Sequence, residues 1–125
     1  MEAEGWRRIA PEDVENAVRL FDKDWMALAV GSKGDMNAMT ISWGGPVVTV
    51  YVSSSRYTYS FMERNDYFTV TAFPETMRNA LIYIGRHSGR DGDKLAPAGL
   101  TAEYTALGNP VFKEARLALE CRIIY

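Results

Sequence analysis

The stretch NAMTISWGG, residues 37–45, alternates small side chains, two of them hydroxyls, with bulkier ones before two glycines end it. Successive side chains of a strand point to opposite faces, so the stretch sorts into two sets: Asn37, Met39, Ile41 and Trp43 against Ala38, Thr40 and Ser42. The first face suits a protein core. The second is flat and rich in hydrogen-bond donors, as a surface is when a planar polar ligand lies against it.

Other short segments carry the same strand signals and are separated by turns or brief helices: Trp25–Gly31, Val47–Ser53, Tyr67–Phe73, Leu100–Leu107 and Ala115–Tyr125. We expect the first two of these and residues 37–45 to be antiparallel neighbours. Parallel sheets need long regular crossovers between strands, and this chain has few. The pattern therefore predicts a mainly β, small antiparallel barrel with short helices packed outside it.

Three segments have helical spacing instead. Residues 11–21 follow a proline and two acids with apolar residues one turn apart. In residues 55–65, Ser55 is a natural N-cap, and Tyr57 and Phe61 fall on one face. Residues 75–89, ETMRNALIYIGRHSG, carry an apolar stripe of Met77, Ala80, Leu81 and Ile84. We predict a helix in each.

Composition restricts the class of protein. The chain has 125 residues, which fits one domain over residues 1–125, and a net charge of -2 that argues against nucleic acid as the main partner. Cys121 is the only cysteine, so no disulfide forms within the chain and a reducing compartment is the simpler interpretation. No apolar run approaches the roughly 18 residues of a membrane span. We expect a cytoplasmic protein without a membrane partner.

Several familiar chemistries have no support in the sequence. Neither glycine-rich nucleotide-binding pattern occurs, and Asp91–Asp93 lacks the further oxygen ligand and the glycine of a calcium loop. His87 is the only histidine, so a common zinc site is excluded and a residue at a helix end is the better interpretation. Cys121 alternates with apolar residues, which favours a core position over a nucleophile.

Two segments suit an anion. SSSRYT, residues 53–58, sets three serines and Arg56 at a predicted helix start, where free backbone N–H groups favour a phosphate. HSGRDGDK, residues 87–94, adds Ser88, the close approach that Gly89 permits, and Arg90 and Lys94 as cations. Taken alone, the first is better explained as an N-cap and the second as a solvated loop with Arg90 and Asp91 paired. Together with the hydroxyl face they predict one ligand with a planar part and a phosphate.

In this order, the segments NAMTISWGG, SRYTYSFMERND, SGRDGDK, GLT and ARLALECRIIY resemble the flavin reductase-like proteins of the flavoredoxin group. The resemblance runs from about residue 25 to residue 125. It implies a Greek-key split β-barrel that binds FMN as a homodimer, with the flavin near the interface. Relatives usually have more residues between SWGG and the next strand and continue past the last strand, so a domain without the usual C-terminal extension is implied.

The resemblance also implies which residues hold the cofactor. Those that would line the ring and ribityl chain are Met39, Thr40, Ser42 and Trp43. Those that would hold the phosphate end are Ser55, Arg56, Tyr57 and Thr58, with Ser88, Gly89 and Lys94 approaching from the second loop. No catalytic acid, base or metal ligand is predicted.

The implied function is an oxidoreductase that passes electrons from NAD(P)H through bound FMN to a free flavin, a ferric complex or a redox protein. One alternative is a flavoredoxin-like electron carrier that does not use NAD(P)H directly. A second is a flavin-free dimeric barrel that acts as a binding module.

Overall fold

The computed structural model describes residues 5–9, 25–41 and 48–124. Four antiparallel strands form the main sheet, in the order β2-β1-β3-β6, and two more form a hairpin, β4-β5. Their bounds are β1 Trp25–Ser32, β2 Asp35–Ile41, β3 Tyr67–Phe73, β4 Ala102–Tyr104, β5 Pro110–Phe112 and β6 Leu117–Arg122. The predicted class, mainly antiparallel β with short helices, agrees with this arrangement.

A tight turn joins β1 to β2 and sets their register, with Ser32 opposite Asp35. Gly31 begins this reversal at a φ of +125°, where a Cβ would lie 2.4 Å from the carbonyl oxygen of Asp35. Only glycine accepts both the positive φ and the close approach. The turn therefore fixes which residues of β2 face each side of the sheet.

The sheet has a core on each face. Met26, Leu28 and Val30 of β1 pack on one face with Phe61 and three residues of β3, Phe68, Val70 and Ala72. Ala27 and Ala29 pack on the other with the buried residues Ala38, Phe73, Ala80, Leu81, Ile84, Leu100 and Phe112. Because β1 and β3 are covered on both faces, they are almost wholly buried. Among the described strands, β2 and β6 are the outer two of the sheet.

Within the described residues, three helices and two short 3-10 turns connect the strands. The helices are α1 Tyr57–Arg64, α2 Arg78–Arg86 and α3 Leu95–Ala98; the 3-10 turns are Glu75–Met77 and Gly89–Asp91. The stripe predicted for α2 is confirmed, since Ala80, Leu81 and Ile84 are buried under the sheet. In α1, the rings of Tyr57 and Phe61 meet edge to face at 5.1 Å.

Polar side chains fasten the β4-β5 hairpin to the main sheet. The Thr69 hydroxyl donates to the carbonyl oxygen of Pro110 at 2.6 Å. The Glu120 carboxylate of β6 accepts from the Asn109 side-chain amide at 2.8 Å and from the Thr105 hydroxyl. Because buried polar groups are costly unless bonded, these contacts favour a single docking position for the hairpin.

Three local predictions need correction or lie outside the description. Residues 48–53 form no strand, although Val48, Val50 and Val52 alternate with more exposed neighbours and pack against the first core. The N-cap of α1 is Arg56 rather than Ser55, because the Arg56 N–H closes a turn onto the Ser53 carbonyl oxygen at 2.9 Å. The predicted helix over 11–21 lies outside the described residues.

Candidate functional site

A cavity of about 500 Å³ opens between β2, α1 and the loop after α2. Its lining comes from the β1-β2 turn and β2 (Gly34, Asp35, Met36, Asn37, Ala38), α1 (Tyr57, Phe61), the loop and α3 (Gly89, Gly92, Asp93, Lys94, Leu95) and β4 (Tyr104). Three predicted site residues, Tyr57, Gly89 and Lys94, are among them. A second depression, of about 540 Å³ around Asp66 and Arg122, contains none of the predicted residues.

Lys94 lies buried in the cavity wall, with 6% of its surface exposed. Its ammonium donates at 2.9 Å to the carbonyl oxygens of Ile84 and His87, at the C-terminal end of α2. The helix dipole and these carbonyls favour a cation there. Burial, and after it the positive charge of Arg56, nevertheless lowers the pKa of Lys94.

Arg56 precedes α1 and is exposed. The adjoining turn contains a hydrogen bond between the hydroxyls of Ser53 and Ser55 at 3.0 Å. Within residues 5–9, 25–41 and 48–124, neither Arg56 nor Lys94 has a carboxylate ion-pair partner. Two cations from separate segments thus interact with each other electrostatically while neither is neutralised, an arrangement that suits a bound anion.

Thr58 lies beneath the cavity wall. Its side chain is 1% exposed, and its hydroxyl oxygen accepts from Nδ2 of Asn37 at 2.6 Å. Asn37, which is 5% exposed, lines the cavity itself. Asn37 therefore lies between the Thr58 hydroxyl and the cavity, so Thr58 reaches the predicted phosphate site only through Asn37. Asn37 was not among the residues predicted for the site. The feature that could have indicated Asn37 is its polarity, because the other residues on its face of the predicted strand are apolar.

The loop after α2 approaches Asn37 at Gly89. A Cβ on Gly89 would lie 2.2 Å from Oδ1 of Asn37 and 3.2 Å from Cδ2 of Tyr57, so any larger residue would displace the loop or the amide. Ser88 starts the 3-10 turn, its hydroxyl oxygen accepting from the backbone N–H of Arg90 at 3.1 Å. The guanidinium of Arg90 lies 5.3 Å from the centre of the Tyr57 ring. Among the described residues Arg90 forms no ion pair with Asp91, so the alternative in which these two residues pair is wrong.

The predicted open hydroxyl face of β2 is covered in part. Ala38 is 1% exposed and belongs to the core under α2, and the Thr40 hydroxyl donates to the carbonyl oxygen of Leu81 at 2.5 Å. Met39 packs against the opposite core. Neither Met39 nor Thr40 lines the cavity. The Thr40 hydroxyl is therefore engaged within the protein, whereas Ala38 lines the cavity although it is almost wholly buried. Ser42 and Trp43 lie outside the described residues.

Tyr104, from the hairpin, is a cavity residue that the sequence did not reveal. Burial raises the pKa of its phenol, so the group stays a neutral hydrogen-bond donor at physiological pH. Its hydroxyl has no hydrogen-bond partner among the described residues. A single residue in a three-residue strand gives no pattern from which such a position can be predicted.

The described residues contain no cluster of three potential metal ligands. His87 ends α2 and stacks on Tyr83 with ring centres 3.9 Å apart, in agreement with the helix-end interpretation. No helix within these residues is both long and apolar enough to cross a bilayer.

Comparisons with known proteins identify the family and the fold of the chain. Residues 29–125 match the model of the flavin reductase like domain, while no curated protein matches the chain. The fold is similar to that of an FMN-binding domain of a flavin reductases-like enzyme from Shewanella baltica, with a TM-score of 0.76 at 21% identity over 87% of this chain and 62% of that one. The split-barrel fold predicted from the sequence is thereby confirmed.

Two further structures are similar. Flavoredoxin from Methanosarcina acetivorans gives a TM-score of 0.72 at 28% identity, over 96% of this chain and 66% of that one. An NADH:FAD oxidoreductase from Streptomyces globisporus gives 0.63 at 17% identity, over 96% and 75%. The chain thus spans less than two thirds of the length of the Shewanella and Methanosarcina proteins.

Proposed function

The chain belongs to the flavin reductase-like domain family, and on that premise we propose that it binds FMN in the cavity between β2, α1 and the loop after α2. The phosphate would lie between Arg56 and Lys94, and the ring would extend along β2. Two of the similar structures are described as FMN-binding or as flavoredoxin, which supports this cofactor.

One observation carries the proposal. Lys94 is a buried ammonium whose pKa is lowered by burial and by Arg56, and neither cation has a carboxylate partner in the described part of the chain. Burying an ammonium, and to a lesser extent keeping a second positive charge near it, costs free energy that a phosphate monoester, with about −1.5 to −2 charges, would offset. Of the three donors of an ammonium, two are used by Ile84 and His87, which leaves one for the anion.

The remaining cavity residues fit the rest of the cofactor. Phe61 and Leu95 offer apolar surface, and the Tyr104 hydroxyl offers a polar contact. We propose that Met39, Thr40, Ser42 and Trp43 contact the ring or its edge, as the resemblance implies, with Thr40 acting through the backbone because its hydroxyl already bonds Leu81. Ser55, Tyr57, Thr58, Ser88 and Gly89 would shape the phosphate end.

We propose that the protein is an oxidoreductase that passes electrons from NAD(P)H to a flavin, ferric or protein acceptor. FMN supplies the hydride-accepting chemistry when bound. The residues of this chain bind and orient it: Arg56 and Lys94 hold the charged end, and Phe61 excludes water from one wall. The described cavity contains no residue to which we assign a catalytic proton.

A second candidate is an electron carrier that does not react with NAD(P)H. The similarity to the Methanosarcina flavoredoxin, which has a higher identity than the NADH:FAD oxidoreductase, favours it. A flavin-free binding module is the third. In each case we propose a homodimer, and we propose a cytoplasmic location, which the single cysteine supports.

One experiment separates the three. The purified protein is incubated with excess FMN, desalted, and its visible spectrum recorded; NADH or NADPH is then added without oxygen. Retained FMN that is bleached by a nicotinamide supports the reductase. Retained FMN that is reduced by dithionite but not by either nicotinamide supports the carrier. Loss of all FMN on desalting, with no binding in a titration, would contradict the FMN site and favour the binding module.

A further inference from the structure

We propose that Asn37 is a positioning residue whose side-chain amide sets the spacing between the two cation-bearing segments, the turn before α1 with Arg56 and the loop after α2 with Lys94. This inference rests on the proposed FMN site. Asn37 belongs to neither segment, yet it contacts both, at Thr58 and at Gly89.

The contact with α1 is a buried hydrogen bond. Nδ2 of Asn37 donates to Oγ1 of Thr58 at 2.6 Å, and the two side chains are 5% and 1% exposed. Breaking such a bond leaves a buried polar group unsatisfied, so the pair is held in one geometry. Thr58 lies in the first turn of α1, two residues after Arg56. The bond therefore fixes the start of α1 against β2.

The contact with the loop is a close approach. Oδ1 of Asn37 occupies the space where a Cβ of residue 89 would lie, 2.2 Å away, and glycine alone lets the loop come this near. Lys94 follows five residues later and is tied to the end of α2 by its two carbonyl contacts. The amide therefore determines how deep the loop sits over β2 at one end, and Lys94 fixes the other end.

The electrostatics give this position a function. Like charges on separate segments disfavour close approach, so a fixed scaffold is needed to hold Arg56 and Lys94 within reach of one anion before it binds. A pre-organised pair of cations binds a phosphate more tightly, because less ordering remains to be done on binding. Asn37 supplies that scaffold without bearing a charge.

The test is the change in phosphate preference when the amide is removed. Dissociation constants for FMN and riboflavin are measured by flavin fluorescence for the wild type and for Asn37→Ala. We expect FMN affinity to fall by about tenfold or more and riboflavin affinity by less than about threefold. A residue that merely stabilised the fold would lower both by the same factor. Asn65→Ala is the matched control: Nδ2 of Asn65 donates to the Phe61 carbonyl at 2.8 Å at the far end of α1.

Gly89→Ala disturbs the same contact between the loop and Asn37, but it leaves the sequence of β2 unchanged. It can therefore test the proposal even if Asn37→Ala does not fold. Its added methyl collides with the amide, and we expect a similar loss of FMN affinity with riboflavin affinity retained. In the double variant Asn37→Ala/Gly89→Ala the collision with the amide is absent, and only the milder approach of the new methyl to the Tyr57 ring remains. Its FMN affinity should therefore match that of Asn37→Ala alone, instead of showing the product of the two losses.

Two results would contradict different claims. A wild type that prefers FMN, together with Asn37→Ala and Gly89→Ala variants that keep that preference within about twofold, would overturn the positioning role alone. A wild type that binds FMN and riboflavin equally would overturn the phosphate site of the proposed function, and the positioning role with it.

Discussion

Nζ of Lys94 lies 2.9 Å from the carbonyl oxygen of Ile84, so a buried ammonium caps the end of α2 while it faces the cavity. Helix ends attract cations through their unpaired carbonyls. This contact accounts for the stability of a cation that has no carboxylate partner in the described residues. Because Lys94 bonds the end of α2, the position of this helix also determines where the positive charge lies in the cavity.

The pH dependence of FMN binding follows from Lys94. Its pKa is lowered from 10.5 by burial and by Arg56, so the free protein loses this charge at a lower pH than an ordinary lysine does. A bound phosphate favours the charged form. The preference for FMN over riboflavin should be greatest where Lys94 is charged and should decline as the pH rises through its pKa, which lies below 10.5.

Titrations of both flavins from neutral to alkaline pH check this, and ionisation of the shared ring cancels in the ratio. Lys94→Met should give a smaller preference that no longer varies with pH. A wild-type preference that stays constant over the whole range would show that Lys94 does not contribute charge to the site.

The Thr40 hydroxyl provides a test of the corrected face of β2. Thr40→Val removes the bond to the Leu81 carbonyl while it keeps the shape, so we expect the free energy of unfolding to fall by about 0.5–1.5 kcal/mol. FMN affinity should change little. Denaturant unfolding and flavin titration measure the two effects, and a large loss of FMN with unchanged stability would restore the hydroxyl to the ligand.

The strands were the most predictable part of the fold, because period-two alternation reports burial directly. The same rule overpredicted at Val48–Val52, where alternate residues do pack against the core without forming a ladder. Alternation shows which side of a segment is buried. It does not show whether a neighbouring strand is available to pair with it.

In the candidate site, the positively charged residues could be predicted from the sequence, but the hydrogen bonds between side chains could not. Arg56 and Lys94 come from segments with an anion-binding pattern, but three consecutive serines offer several possible caps, and the turn from Ser53 to Arg56 decides the helix start. The bond of Asn37 to Thr58 spans 21 residues of sequence. No local pattern reports such a partner, because it depends on how α1 packs on β2.

Cys121 should be an unreactive thiol. Burial, and after it the charge of Glu120, raises its pKa to about 11, so little thiolate exists at neutral pH. Alkylation by iodoacetamide should be much slower than that of a free cysteine and should accelerate on unfolding. Mass spectrometry of the native and the urea-treated protein measures both rates, and equally rapid modification of the two would contradict the raised pKa of this partly buried thiol.

The proposed homodimer predicts a particle of twice the chain mass of 14.0 kDa. A barrel of this size with many aromatic residues is expected to cover apolar surface with a two-fold partner. Light scattering at micromolar concentration, with and without FMN, gives the mass directly. A monomer under both conditions would contradict a flavin site at a subunit interface.

The central claim is that a phosphate lies between Arg56 and Lys94, and the affinities of FMN and riboflavin test it most directly. Two charge-assisted bonds at roughly 1.5 to 3 kcal/mol each predict that riboflavin binds on the order of a hundredfold to ten-thousandfold more weakly. Arg56→Ala should remove much of that difference and leave riboflavin affinity almost unchanged. The control is Arg78→Ala, at an exposed arginine that begins α2, which should change neither the FMN affinity nor the riboflavin affinity. Equal affinity of the wild type for the two flavins would contradict the claim.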